Sequence, residues 1–156
     1  MKTISLKILA DYFHIKLVSD LDKDDHSPTW NDEEIEVMVS AGTYSVYVFT
    51  VRNMNVPLTI HVSDGIPILN QEEFDQIVEC SIDCSSGYLE IENAIECMDS
   101  VRTQLLPSGF YGAYVCFKNL NSISEDGIEG NDSYQVFLWR IPSLYPINVI
   151  KYKPLQ

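Results

Sequence analysis

The sequence has few basic residues, and this shortage excludes several classes of function. Only 10 lysines and arginines stand against 23 aspartates and glutamates among 156 residues, which gives a formal net charge of −13 at pH 7. A protein with this charge repels phosphate backbones and anionic lipid surfaces, and it attracts cations and basic protein surfaces. The composition therefore predicts neither a nucleic-acid partner nor a membrane partner, and it favours a basic protein as the partner.

Long apolar runs and paired cysteines are also missing. No apolar run approaches the roughly 20 residues that span a bilayer, and Lys7 interrupts the first residues where a secretory signal would be apolar. The four cysteines, Cys80, Cys84, Cys97 and Cys116, form no CxxC pair, so the sequence predicts neither a zinc ribbon nor a thioredoxin-type site. We expect a cytoplasmic protein with free thiols, of which Cys80 and Cys84 pack in the core.

Known catalytic and cofactor motifs are absent as well. The sequence has no GxSxG elbow, P-loop, dinucleotide fingerprint, HxH or HExxH, and His14, His26 and His61 stand in different local settings. We therefore predict that the protein is not an enzyme, has no catalytic residues, and carries no cofactor or metal. A hydrolase stays open as an alternative if the fold brings a histidine beside an aspartate or a serine in a pocket.

The chain instead contains many short segments with the pattern of β-strands, separated by Gly, Pro and Asn turns. With 46% apolar residues, it is long enough to bury a core as a single domain, residues 1–156. The spacing predicts a mainly β fold, an antiparallel β-sandwich. The predicted strands are 4–10, 12–18, 44–51, 56–63, 74–83, 88–92, 101–106, 111–117, 134–141 and an edge segment at 147–152.

One segment, PTWNDEEIE, predicts the start of a short α-helix at about residues 32–40. Asn31 is the expected N-cap, and Glu34 three residues later completes a capping-box-like pair. Trp30 precedes the cap and is expected to pack with Ile35 as a hydrophobic staple. The predicted structural anchors are Trp30, Asn31, Ile35 and the strand residue Trp139.

The acidic residues form two clusters, one between Asp20 and Glu36 and one in a glycine-containing loop at 125–132. The first cluster lacks the glycine and the glutamate that an EF-hand loop requires, so a solvated acidic surface is favoured over a cation site. If the two clusters lie at one end of the sandwich, they form a single negative patch for a partner. The predicted partner-binding residues are Asp20, Asp22, Asp24, Asp25, Asp32, Glu33, Glu36, Glu125, Asp126, Glu129 and Asp132.

Several stretches together form a pattern that runs from about Leu6 to Trp139. The most specific is WNDEEIE at 30–36. The weaker ones lie at 8–15, 41–45, 52–53, 85–87, 107–111 and 134–136. In this pattern the chain resembles the competence protein J family, and also uncharacterised bacterial relatives that carry a GIEGND-type loop and a VRNM stretch. The chain is longer than the family pattern in 63–74 and 119–133.

The resemblance implies a β-sandwich with a short helix and a non-enzymatic role, in which the protein binds a nuclease and blocks it. An acidic protein can compete for the basic groove with which a nuclease grips phosphate. The hypothesis is therefore an acidic, cytoplasmic, bacterial protein that resembles nuclease inhibitors and regulates a basic partner such as a nuclease. A small-ligand or calcium-binding β-sandwich is the alternative, and the sequence does not predict an oligomeric state.

Overall fold

The computed structural model describes residues 2–94, 99–105 and 107–152. These residues form eleven strands and one α-helix, with single 3₁₀ turns at Asp11–Phe13 and Gln71–Glu73. The helix, α1, is Asp32–Val37. The strands are β1 (Lys2–Leu9), β2 (His14–Val18), β3 (Val39–Ala41), β4 (Ser45–Phe49), β5 (Asn55–Val62), β6 (Gln76–Cys84), β7 (Tyr88–Ala94), β8 (Asp99–Gln104), β9 (Gly109–Lys118), β10 (Ser133–Arg140) and β11 (Asn148–Lys151).

The strands form two layers along one hydrogen-bonded path. One layer has the order β11-β6-β9-β10-β5-β1, and the other contains β8, β7, β2, β4 and β3. Among the residues that the structure describes, the pair Ile8 with Ala94 connects β1 to β7 and thus joins the layers. The described pairs are antiparallel except β5 with β10, which run parallel. The predicted mainly β, sandwich-like fold with one short helix is confirmed.

The core lies between these two layers. Side chains alternate along each strand, so Leu17 of β2 and Val48 of β4 meet Leu58, Val78 and Val136 of the facing layer in one buried cluster. Full burial of an aliphatic side chain of this size stabilises the fold by about 1.5–3 kcal/mol. In β5, for example, Val56, Leu58 and Ile60 are buried and the residues between them are not, so the spacing of the apolar residues determines the buried face of this strand.

Three cysteines contribute to the buried interior. Cys80, Cys84 and Cys116 are free and buried, and burial raises the pKa of each thiol to about 12. The reactive thiolate is therefore scarce at neutral pH. The core position predicted for Cys80 and Cys84 is confirmed, whereas Cys97 lies outside the described residues.

The helix ends earlier than predicted. Met38 adopts a left-handed conformation, with φ 67°, and its N–H donates to the Glu34 carbonyl, which closes the helix after Val37. Residues 39 and 40, expected to continue the helix, belong to β3 instead. The reason is burial, because Val39 pairs with Val48 of β4 and becomes almost fully buried at the sheet edge.

The two ends of the sandwich can be told apart by the contacts that cross it. At the end that carries α1, called the helix end, Gln76 Nε2 at the start of β6 donates to the carbonyls of Glu36 and Val37 at 3.1 and 2.6 Å. At the opposite end, called the hairpin end after the turn between β6 and β7, the Asp83 N–H donates to the Thr43 carbonyl at 2.8 Å.

Candidate functional site

The turn before α1 is fixed by two side chains, as the sequence indicates. Asn31 Oδ1 accepts the Glu34 N–H at 2.9 Å and caps the helix. The Glu34 carboxylate accepts from the N–H groups of Thr29 and Trp30, at 2.7 and 3.2 Å, rather than from the N–H of Asn31. The Glu34 carboxylate therefore reaches one and two residues beyond the N-cap position that a capping box predicts. Trp30, which it contacts, has a left-handed conformation with φ 57°.

Trp30 lies on the outer face of β4. Its ring stacks on Phe49, with centroids 4.2 Å apart and planes at 12°, and 40% of Trp30 remains exposed. Ile35, the expected staple partner, is also exposed. Of the other predicted anchors, Asn31 caps the helix and Trp139 is buried in β10.

Tyr12 and Phe13 join Trp30 at the helix end, which the sequence does not predict. The expected strand 12–18 places Phe13 on a buried face, but β2 begins only at His14. Tyr12 and Phe13 instead adopt left-handed conformations, with φ 55° and 62°, and are 74% and 47% exposed. The alternation of Phe13, Ile15 and Leu17 is the misleading signal, because a pattern of period two does not reveal where the backbone leaves the strand.

Four exposed apolar side chains thus form one surface, which we call the aromatic platform. Two shallow clefts share Phe13 and Trp30 on this surface. One, of about 350 Å³, lies between α1 and the end of β4, and the other, of about 560 Å³, lies beside the 3₁₀ turn. The members of the platform are Tyr12, Phe13, Trp30 and Ile35.

The predicted acidic patch is divided between the two ends of the sandwich. Asp32, Glu33 and Glu36 are exposed on α1 at the helix end. The loop that joins β9 to β10 starts at the same end, where the Leu120 N–H donates to Asp75 Oδ2 beside Gln76. The exposed acids of this loop are Glu125, Asp126 and Glu129.

The Asp20–Asp25 segment lies elsewhere. It follows β2 at the hairpin end, where the Ser19 N–H donates to the Tyr44 carbonyl at 2.8 Å. Asp20, Asp22 and Asp25 are therefore not brought together with the acids of α1. α1 and the start of the loop from β9 to β10 thus lie at the helix end, and this segment starts at the hairpin end. The use of any of these carboxylates by a partner stays a prediction.

Asp24 belongs to an internal ion pair instead of a partner-facing surface. Its carboxylate lies 3.3 Å from Lys16 Nζ and accepts the Ser45 hydroxyl at 2.7 Å. Burial alone would raise the pKa of Asp24, but the hydrogen bonds from Ser45 and His26 and the Lys16 charge hold the pKa below its usual value. This carboxylate fastens the acidic segment to the outer face of β2 and β4.

Asp132 is likewise a structural carboxylate, 1% exposed. Its two oxygens accept from Arg52 Nε at 2.7 Å and from the Tyr134 hydroxyl at 2.6 Å. Arg52 also donates to the Ile128 carbonyl at 2.9 Å, so the pair holds the acidic loop against the end of β4. Asp24 and Asp132 were expected to meet a partner, and the fold uses both internally.

The histidines do not form a triad within the described part of the chain. His26 Nε2 lies 2.7 Å from Ser40 Oγ, but the Ser40 hydroxyl donates to Glu34 Oε2 at 2.9 Å. A nucleophilic serine needs the histidine between it and the acid, whereas here the serine stands between them and is 2% exposed. The arrangement ties β3 to the turn before α1.

Two further absences concern only residues 2–94, 99–105 and 107–152. Within these ranges no group of three or more His, Cys, Asp or Glu side chains is arranged to hold a metal ion. The helices in these ranges lack the length and the apolar composition of a membrane-spanning segment.

Comparisons with known proteins show the fold. No family model matches the chain, and no curated protein matches it in sequence. The fold is similar to that of ComJ from Bacillus subtilis, an inhibitor of the DNA degrading activity of NucA. The TM-score is 0.64 at 17% identity, over 90% of this chain and 96% of that chain. It is also similar to Crocagin biosynthetic gene J, with a TM-score of 0.54 at 15% identity, over 89% of this chain and 98% of that chain. The resemblance inferred from the sequence is confirmed as a distant one, at the level of the fold.

Proposed function

We propose that the chain is a non-enzymatic, cytoplasmic bacterial protein that binds a basic protein and inhibits it, and that the partner is a nuclease. The observation that carries this proposal is that the ComJ-like fold gathers exposed carboxylates of α1 and of the β9–β10 loop at one end. Groups of opposite charge on the two partners speed association and favour a basic partner over others.

The proposed mechanism is competition for the surface on which the nuclease holds DNA. A nuclease must offer basic groups to phosphate, and these groups are also the best counterparts for a protein of net charge −13. Asp32, Glu33 and Glu36 need no rearrangement to reach a partner, since all three are exposed on a capped helix. The chain then blocks the nuclease by occupying its basic groove, and no bond is made or broken.

The test is a DNA-degradation assay with basic nuclease fractions of the organism that encodes the chain, and with NucA as a second enzyme. We expect inhibition at a near-equimolar ratio in about 0.05 M salt and much weaker inhibition near 1 M, where the Debye length shrinks to about 3 Å. If no fraction and no nuclease is inhibited by a tenfold molar excess in low salt, the proposal is overturned.

Two matched triple variants locate the surface. Asp32→Asn, Glu33→Gln, Glu36→Gln changes the helix end, and Asp20→Asn, Asp22→Asn, Asp25→Asn changes the hairpin-end segment. Each triple variant removes three negative charges and so changes the formal net charge of the protein from −13 to −10. The first variant should inhibit more weakly and with less dependence on salt, whereas the second should inhibit like the unmodified protein. Equal effects would show that only the net charge matters.

A further inference from the structure

The aromatic platform is more exposed than the fold requires. Tyr12, Phe13, Trp30 and Ile35 are all at least 40% exposed, whereas single scattered apolar residues are the norm on the surface of a monomer. The four side chains are also contiguous, since Phe13 and Trp30 line both clefts and Ile35 or Tyr12 completes each one.

The aromatic residues of the platform also have an unfavourable backbone conformation. Tyr12, Phe13 and Trp30 all have positive φ, a conformation that is strained for a bulky residue and that glycine or asparagine adopts more readily. The main core cluster includes none of the three. Exposed apolar side chains on a strained backbone are typical of binding sites.

The surroundings of the platform determine what can cover it. Asp11 adjoins Tyr12, and the exposed acids of α1 adjoin Trp30 and Ile35. A second copy of the chain would bring the same negative charges against these, and anionic lipids or nucleic acids would be repelled as well. A basic protein is complementary to both features, since its apolar side chains can pack on the platform and its positive charges can pair with the surrounding carboxylates.

We propose that the aromatic platform is the centre of the docking surface, and that a basic protein partner places an apolar side chain between Phe13 and Trp30 while its lysines and arginines meet the surrounding carboxylates. This inference rests on the proposed function and deepens it. The 350 Å³ cleft has room for one large side chain. In protein interfaces a few central aromatic residues dominate the affinity, and charges at the rim mainly set the association rate.

The first experiment needs no known partner, because Trp30 reports on its own surface. Trp139 is buried, so the difference in fluorescence between the unmodified protein and Trp30→Phe isolates the emission of Trp30. The probes are two peptide amides of equal charge, one of alternating leucine and arginine and one of alternating serine and arginine. The leucine peptide should shift the Trp30 emission to the blue and bind at least fivefold more tightly than the serine peptide. Equal affinities, or no change in Trp30 emission, would overturn the proposal.

The second experiment uses Phe13→Asn, because asparagine tolerates the left-handed backbone and the variant should fold. We expect this variant to bind the leucine peptide and the serine peptide with equal affinity. Its inhibition of a responsive nuclease should be weaker than that by the unmodified protein by about 30-fold or more at every salt concentration. Circular dichroism and urea unfolding confirm that the variant is folded.

The two proposals fail in different ways. If the leucine peptide binds Trp30 selectively but no nuclease is inhibited, the platform stands and the nuclease function fails. If a nuclease is inhibited equally by the unmodified protein and by Phe13→Asn, the nuclease function stands and the platform inference fails.

Discussion

The left-handed backbone at Tyr12 gives a stability prediction that is independent of any partner. Tyr12 has φ 55° and ψ 32°, and about a quarter of the residue is buried, since it is 74% exposed. A fully buried tyrosine covers about 150–250 Å², so removal of the ring costs about 1 kcal/mol at 25 cal/mol per Å². Tyr12→Ala and Tyr12→Asn both lose this contribution, and the difference between them isolates the backbone.

Asparagine is several-fold enriched over other non-glycine residues in the left-handed region, which corresponds to a conformational free-energy advantage of about 0.5–1 kcal/mol. We therefore expect Tyr12→Asn to be more stable than Tyr12→Ala by about 0.5–1 kcal/mol, measured as the free energy of unfolding in urea. The same pair at Glu33 is the control, because that residue lies in α1 and helix propensity favours alanine over asparagine there. If alanine equals or exceeds asparagine at both positions, the backbone at Tyr12 is not strained and the reasoning is refuted.

Three further predictions concern internal ion pairs and buried thiols. Arg52→Met leaves Asp132 buried without its ion pair, so we expect a loss of about 3–5 kcal/mol in urea unfolding. The double variant with Asp132→Asn should lose less than the sum of the two single changes, and simple additivity would contradict the pairing. The folded-state pKa of Asp24 lies below its reference value of 3.8, so its stabilisation is present above that pH and disappears as the pH falls through the folded pKa. Asp24→Asn should therefore flatten the decline in unfolding midpoint below about pH 4, and an unchanged decline would argue against this role. Finally, Cys80, Cys84 and Cys116 should resist a thiol reagent at pH 8 in the folded protein, since burial raises the pKa of each to about 12. Peptide mapping that finds any of the three rapidly modified would contradict their burial.

Local patterns made much of the architecture predictable. Strand alternation places Leu58 and Ile60 in the core because the period of two depends only on neighbouring residues. The helix start was predictable for the same reason, since Asn31 and Glu34 act within a few residues of each other. The end of the helix was not, because Val39 leaves it to pair with a strand that comes later in the sequence.

The candidate site was less predictable because it depends on contacts between distant parts of the chain. Asp132 was expected on the partner-binding surface, but it pairs internally with Arg52, 80 residues away in sequence. Asp24 is held by Lys16 and Ser45, which lie on two different strands. The positive φ values at Tyr12 and Phe13 have no sequence signature of the kind that glycine or asparagine provides, so the aromatic platform appears only once the backbone is seen.

The most direct test of the docking surface is a side-chain oxidation footprint of the protein, free and in complex with an inhibited basic nuclease. Hydroxyl radicals oxidise exposed aromatic side chains, and Tyr12, Phe13 and Trp30 are exposed at the helix end, whereas Leu21 is exposed in the hairpin-end segment. We predict that the complex protects the three aromatic residues at least severalfold and leaves Leu21 as reactive as in the free protein. Protection of Leu21 with unchanged oxidation at Tyr12, Phe13 and Trp30 would place the partner at the other end and contradict the account.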